Sequence, residues 1–146
     1  MIWSQVTESA IDPATVLDRV GGPEDGAVAL FLGTVRNRND GRPVSGMEYQ
    51  GYQIMAAEQL SAIVHEAAER TEAGRIAAVH RLGTLEIGEI SVAIAVSNPH
   101  RGPAFEAARY VIEEVKKRLP VWKREHYTDG APSWLDGTLP AATESE

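Results

Sequence analysis

Residues 90–127 read ISVAIAVSNPHRGPAFEAARYVIEEVKKRLPVWKREHY, and three structural regimes follow one another within them. Ile90, Val92, Ile94 and Val96 alternate with small residues, the two-residue period of a β-strand. Asn98-Pro99-His100 interrupts that run. Pro103 suits the first turn of a helix, and Phe105, Ala108, Ile112, Val115 and Leu119 then recur every three or four residues, drawing one apolar stripe. Pro120 ends the helix, and residues 121–127 resume in extended form. Strand, helix and strand in direct succession set the expectation for the rest of the chain.

Working outward, Asp12-Pro13 has the form of a helix start, an N-cap followed by proline, and the helix is expected to run to about Val20 before Gly21-Gly22. Residues 27–35 form a short apolar run bounded by glycines and read as a buried strand. Residues 36–43, rich in Asn, Asp and Gly, read as a loop, and residues 44–49 as a strand. Residues 54–70 have helical composition, with Leu60, Ile63, Val64 and Ala67 on one face and Gly74 as the stop. Residues 76–82 read as a strand and 83–88 as a turn. Several strand pairs are joined by short turns, which favours an α+β domain over a doubly wound parallel sheet. Residues 1–137 are expected to form one domain, and the acidic residues 138–146 a disordered tail.

The chain of 146 residues contains no cysteine, which removes disulfides, thiolate metal sites and cysteine nucleophiles from consideration. Any sulfur it handles must arrive on another molecule. A formal charge of −7 argues against general nucleic-acid binding. The apolar runs are too short to span a bilayer and no signal peptide is visible, so the expected location is cytoplasmic and no membrane contact is expected. His65, His80, His100 and His126 fall in separate elements without ligand spacing, and no phosphate-loop or dinucleotide fingerprint occurs; neither a metal nor a cofactor is expected.

The basic residues are unevenly placed. At about 100° per residue, Lys116 falls roughly 60° from the centre of the apolar stripe and Lys117 on the far side, so Lys116 should be partly desolvated. Desolvation makes a neutral amine more accessible, although a lysine stem covering the core edge would look the same. In the extended stretch, Lys123, Glu125 and Tyr127 share one face, and Trp122, Arg124 and His126 the other. A cation beside a carboxylate suits anion binding with proton transfer; a charged edge strand is the plainer alternative. His100-Arg101 lies immediately before a helix, where unpaired backbone N–H groups, a guanidinium and an imidazole together make a credible phosphate site. Gly33-Thr34-Val35-Arg36 stands where a strand opens into a loop, and Arg36 is a second candidate anion contact. His80-Arg81, at a strand end, suits a structural histidine equally well.

Taken in order, several of these segments resemble one family. They are Gly33-Thr34-Val35-Arg36, Met47-Glu48-Tyr49, Tyr52 with Met55-Ala56, His80-Arg81-Leu82-Gly83 and Gly88-Glu89, then Ser97-Asn98-Pro99-His100-Arg101, Ala104-Phe105-Glu106-Ala107 and Lys116. Leu119-Pro120-Val121-Trp122-Lys123-Arg124-Glu125, Asp129-Gly130 and Trp134 complete the series. The chain resembles the catalytic (large) subunits of molybdopterin synthase over residues 30–134. The resemblance implies an α/β hammerhead-type domain with a small additional antiparallel β-subdomain, and a homodimer within a heterotetramer. It also implies a small ubiquitin-like sulfur-carrier subunit whose C-terminal glycine thiocarboxylate enters the site. The implied reaction is sulfur transfer to cyclic pyranopterin monophosphate, forming the dithiolene of molybdopterin. By position it assigns catalysis to Lys116 and Lys123, and substrate contacts to Thr34, Val35, Arg36, His100, Arg101, Arg124 and Glu125. Gln50 stands where the family often has an acid, and no basic residue follows Trp134.

Two other functions fit the residues alone. A hydrolase or lyase acting on a cyclic phosphate, with His100 as acid–base and no partner, would show activity in isolation. A non-catalytic module that captures a partner's tail would bind without turnover.

Overall fold

The computed structural model describes residues 1–128 and 133–134. Its order is β1 (Ile2–Thr7), α1 (Pro13–Leu17), β2 (Ala27–Thr34), β3 (Arg38–Asn39), β4 (Arg42–Gly51), α2 (Gln53–Thr71), β5 (Arg75–Arg81), β6 (Gly83–Glu86), β7 (Ile90–Asn98), α3 (Arg101–Arg118), β8 (Val121–Tyr127) and β9 (Ser133–Trp134). The strands form two sheets. A four-stranded sheet has the order β1-β5-β7-β2, parallel between β1 and β5 and antiparallel elsewhere. A second sheet, antiparallel throughout, has the order β3-β4-β8-β9 with β6 also paired to β4. The α+β class and the additional antiparallel sheet are as expected. The expected tail, 138–146, lies outside the described residues.

The alternation in β7 explains how the first sheet is covered. Val92, Ile94 and Val96 point to the face packed by α2 and α3, together with Ile76 and Ala78 of β5 and Leu60, Ile63, Val64 and Val111 of the helices. Burying each such aliphatic side chain contributes about 2 kcal/mol. The small partners Ala93 and Ala95 point the other way and meet Ala77, Val79 and Val16 of the short helix α1. The larger core also takes in Val35, Met47, Tyr49, Leu82, Leu85 and Val121, so the second sheet shares it.

Several sequence expectations need correction. The strand read as buried, 27–35, is an edge strand ending at Thr34: Val28 is 55 % and Phe31 36 % exposed, because β7 pairs with one edge of β2 and no described strand with the other. The stripe of α3 is rotated from the one expected. Ala104, Ala107, Ala108, Val111 and Val115 are buried, whereas Phe105 is 65 % exposed above an apolar groove against β2. Small residues let the helix sit close to the sheet, so alanines mark its inner face better than the phenylalanine does. The loop 36–43 holds a hairpin, and the turn 83–88 begins with strand β6. Helix α1 ends at Leu17, short of Val20, and passes into turns at Arg19 and Val20. Helix α2 is stopped by Glu72 in the left-handed conformation (φ 58°) rather than by Gly74.

Candidate active site

The topology sorts the candidate residues between two ends of the first sheet. Strands β2 and β7 are antiparallel, with Ala27 opposite Asn98 and Thr34 opposite Ile90. Helix α3 begins beside Asn98 and returns along β7 and β2, so its C-terminal turn lies at the Thr34 end. Thr34, Val35, Arg36 and Lys116 therefore belong to one end and His100 and Arg101 to the other. At 1.5 Å per residue, Arg101 and Lys116 are about 22 Å apart along the helix. Within one chain the structure does not bring these two sets together.

At the first end the chain leaves β2 through Val35. Its N–H donates to the Glu89 carbonyl at 3.0 Å, and its own carbonyl accepts from the Gly88 N–H at 2.9 Å. Beyond this point Thr34 to Gly41, with Ile87 and Gly88, line an open groove of about 480 Å³. Thr34 and Arg36 are exposed, and Val35 is buried beneath them. The far wall is pinned by Glu89, whose carboxylate accepts from the Glu86 N–H at 2.8 Å and from Arg81 at 3.3 Å. These donors hold the Glu89 carboxyl below its ordinary value, the backbone N–H first.

Among the described residues, Lys123 and Glu125 are a lysine and a glutamate withdrawn almost wholly from solvent. Strand β8 lies between β4 and β9 and is not the charged edge strand considered from sequence. Lys123 is 2 % and Glu125 3 % exposed, on the inner face with Val121. Their cross-strand neighbours on β4 are Tyr49 and Met47, both buried. Two charged side chains in such a place must be paired or hydrogen-bonded, since burial of an isolated charge is prohibitively costly. Glu125 meets this requirement through Oε1, which accepts from Asn39 Nδ2 at 2.8 Å and from the Tyr127 hydroxyl.

Other positions divide as alternation dictates. Arg124 and His126 face away from Lys123, towards Glu48, at 3.8 and 3.6 Å. Arg124 is thus separated by the sheet from the inner-face pair. Lys116 is half-buried and Lys117 exposed, as the helical angle predicts, and Lys117 pairs with Glu114 at 3.6 Å. Only Leu119 and Pro120 separate α3 from β8, so the turn bearing Lys116 feeds directly into the strand bearing Lys123. His80 is a core residue, 5 % exposed, set edge-on to Tyr49 with ring centres 5.4 Å apart.

At the other end His100 is the N-cap of α3 and makes no side-chain cap bond; both His100 and Arg101 are exposed. The Asn98 side chain fixes this turn. Its Oδ1 accepts from the His100 N–H at 2.9 Å, and its Nδ2 donates to the Glu72 carbonyl at 3.2 Å. Asn98 and Asn39 were not singled out by sequence reasoning. An Asp40-Gly41 hairpin turn was the available signal for Asn39. Among the described residues, no group of three or more His, Asp or Glu could hold a metal ion, and no helix is long and apolar enough to cross a membrane.

An α+β chain without cysteine that buries Lys123 and Glu125 on one strand face, beside a groove lined by Arg36 and Arg38, has the residues that acid–base and anion chemistry use. The family model described as MoaE protein matches residues 6–118. The molybdopterin synthase catalytic subunit of Thermoplasma volcanium is 41 % identical over 132 residues, covering 90 % of this chain and 96 % of that protein. Its Bacillus subtilis counterpart is 39 % identical, covering 92 % and 85 %. The crystal structure of molybdopterin synthase from Staphylococcus aureus superposes with a TM-score of 0.83 at 35 % identity, covering 89 % of this chain and 94 % of that one. The chain belongs to the MoaE family, the catalytic subunits of molybdopterin synthase, a sulfurtransferase of molybdenum cofactor biosynthesis.

Proposed function

We propose that this subunit transfers sulfur to cyclic pyranopterin monophosphate from the C-terminal glycine thiocarboxylate of a small ubiquitin-like carrier, in the cytoplasm. The observation that carries the reading is the burial of Lys123 and Glu125 together on the inner face of β8, at 2 % and 3 % exposure. Removed from water, a cation and a carboxylate act strongly on charge that develops beside them. Once the carrier's sulfur is bonded to a pterin carbon as a thioester, water attacks the acyl carbon, the acyl C–S bond breaks, sulfur stays on the pterin and the carrier leaves as a carboxylate. Lys116 and Lys123 stabilise the oxyanion of that step, and Glu125 takes the proton of the water. The absence of cysteine fits a sulfur atom that arrives on a partner. A protein–protein complex of subunits 1 and 2 of molybdopterin-converting factor from Helicobacter pylori shares the fold, with a TM-score of 0.70 at 22 % identity.

The substrate phosphate is held by Arg36 and by His100 and Arg101, with Thr34 and Val35 shaping the wall of the groove. These contacts lie too far apart to serve one small molecule within a single chain. A homodimer resolves this if a second copy sets its His100-Arg101 turn against the Thr34–Lys116 end of the first, each carrier-bound dimer then forming a heterotetramer. Residues 1–137 act as the functional unit. Arg124, turned towards Glu48, contributes to substrate binding only from the outer face of β8.

Complementation tests this arrangement. A chain carrying Lys116→Ala and Lys123→Met is mixed with one carrying His100→Ala and Arg101→Ala, and subunits are allowed to exchange. Assayed at pterin far below KM, where loss of the phosphate contacts also suppresses the rate, each is nearly inactive alone. After exchange, half the dimers are mixed and each has one intact site, so about a quarter of the natural activity should return. No recovery, with exchange demonstrated, would refute a site shared between copies.

A further inference from the structure

The carboxylate of Glu125 is oriented by a residue outside the set assigned to the site. Asn39 comes from the β3–β4 hairpin, not from β8. The hairpin turns through Asp40 and Gly41, both at positive φ (50° and 79°), the conformation of a tight two-residue turn. That turn sets Asn39 opposite Arg42 in register. The tip then grips β8 twice: Asn39 Nδ2 donates to Glu125 Oε1 at 2.8 Å, and the Arg42 guanidinium lies 3.6 Å above the centre of the Tyr127 ring. The Tyr127 hydroxyl donates to the same Glu125 oxygen. Two donors from different elements converge on one oxygen of a carboxylate that is 3 % exposed. Asn39 also lines the groove rimmed by Arg36 and Arg38.

We propose that Asn39 is a positioning residue for the sulfur-transfer reaction, holding the Glu125 carboxylate in its working orientation and joining the anion groove to the buried lysine–glutamate pair. This rests on the reading of Glu125 as the proton-handling group. A glutamate side chain has three rotatable bonds, and the convergence of Asn39 and Tyr127 on Oε1 removes that freedom before substrate arrives. Asn39 acts through Glu125, so its removal is felt at the chemical step and not in substrate affinity.

The test is a double-mutant cycle read in the reconstituted synthase, with thiocarboxylated carrier and the cyclic pterin. Asn39→Ala should lower kcat roughly tenfold, with KM for the pterin changed less than about twofold. The nearly isosteric Asn39→Asp, which keeps the shape and loses the donor, should be at least as slow. In a Glu125→Gln background, Asn39→Ala should cost no more than about twofold further, because the group it positions is already gone. Melting midpoints of all variants verify folding. Full multiplication of the Asn39→Ala and Glu125→Gln effects, or natural turnover in Asn39→Asp, would overturn the positioning role while leaving the site reading intact. Natural turnover in Glu125→Gln would instead overturn the site reading, and this inference with it.

Discussion

Arg118, on the last turn of α3, grips Glu66 of α2 in a bidentate pair, Nη1 to Oε1 at 2.6 Å and Nη2 to Oε2 at 3.0 Å. The Tyr110 hydroxyl donates to the same carboxylate at 2.8 Å. Lys116 lies on that turn, so the clasp fixes the helix end from which this proposed catalytic lysine projects. The bond from Arg118, then the bond from Tyr110, hold the Glu66 carboxyl down at about 2, from an ordinary 4.5. Both partners are about one-third exposed, so water screens much of the gain.

A pH-dependent stability follows. A carboxyl depressed in the folded state stabilises it above its unfolded value, and the contribution is lost as pH falls towards the folded one. The natural chain should therefore exceed Glu66→Gln in denaturant midpoint at neutral pH, and the gap should close between about 4.5 and about 2. A gap that stays constant through that window would show that Glu66 acts by packing alone.

Replacement of either proposed catalytic lysine should cost turnover without costing the fold. Lys116→Ala and Lys123→Met are each expected to reduce kcat by roughly a hundredfold or more at saturating carrier. Methionine is chosen at 123 because that side chain is 2 % exposed and alanine would leave a cavity. Circular dichroism and melting curves verify folding, and single-turnover rates carry the test. Natural rates in either variant would remove that lysine from the mechanism.

Loss of a phosphate contact should be felt mainly in binding. Arg36→Ala and Arg101→Ala should each raise KM for the pterin about tenfold while kcat moves less than about threefold, because a phosphate remote from the reacting carbons is held alike in ground and transition states. Unchanged KM in both would defeat the assignment of these arginines.

The junction feeding β8 is sterically closed. A Cβ on Gly51 would lie 2.6 Å from the backbone carbonyl oxygen of Pro120, which cannot swing aside as a side chain could. Gly51→Ala should destabilise the chain by about 1–3 kcal/mol, measured by denaturant unfolding. Unaltered stability would mean that the α3–β8 link yields easily, and that it does not hold the register between Lys116 and Lys123.

Much of this was legible in the residues. The alternation of Ile90 to Val96 located β7, and the same alternation put Lys123, Glu125 and Tyr127 on one face, which is where they lie. The helical angle distinguished half-buried Lys116 from exposed Lys117. Three features were hidden because they depend on contacts between distant segments. An apolar run such as β2 looks the same whether central or at an edge, since composition does not count neighbours. A two-residue strand such as β3 has no periodicity to detect, so the reach of Asn39 to Glu125 was invisible. The direction of α3 relative to β2, which parts His100 from Lys116, becomes apparent only once the sheet is assembled.

The most direct test of the central claim is product formation per chain when purified protein and cyclic pterin are titrated with carrier. A carrier ending in a glycine thiocarboxylate should give dithiolene product that saturates with carrier. A carrier with an ordinary C-terminal carboxylate should compete for binding and give none, and free sulfide at matched concentration should give none. Product at comparable rates from sulfide alone, or from the carboxylate carrier, would contradict partner-delivered sulfur transfer.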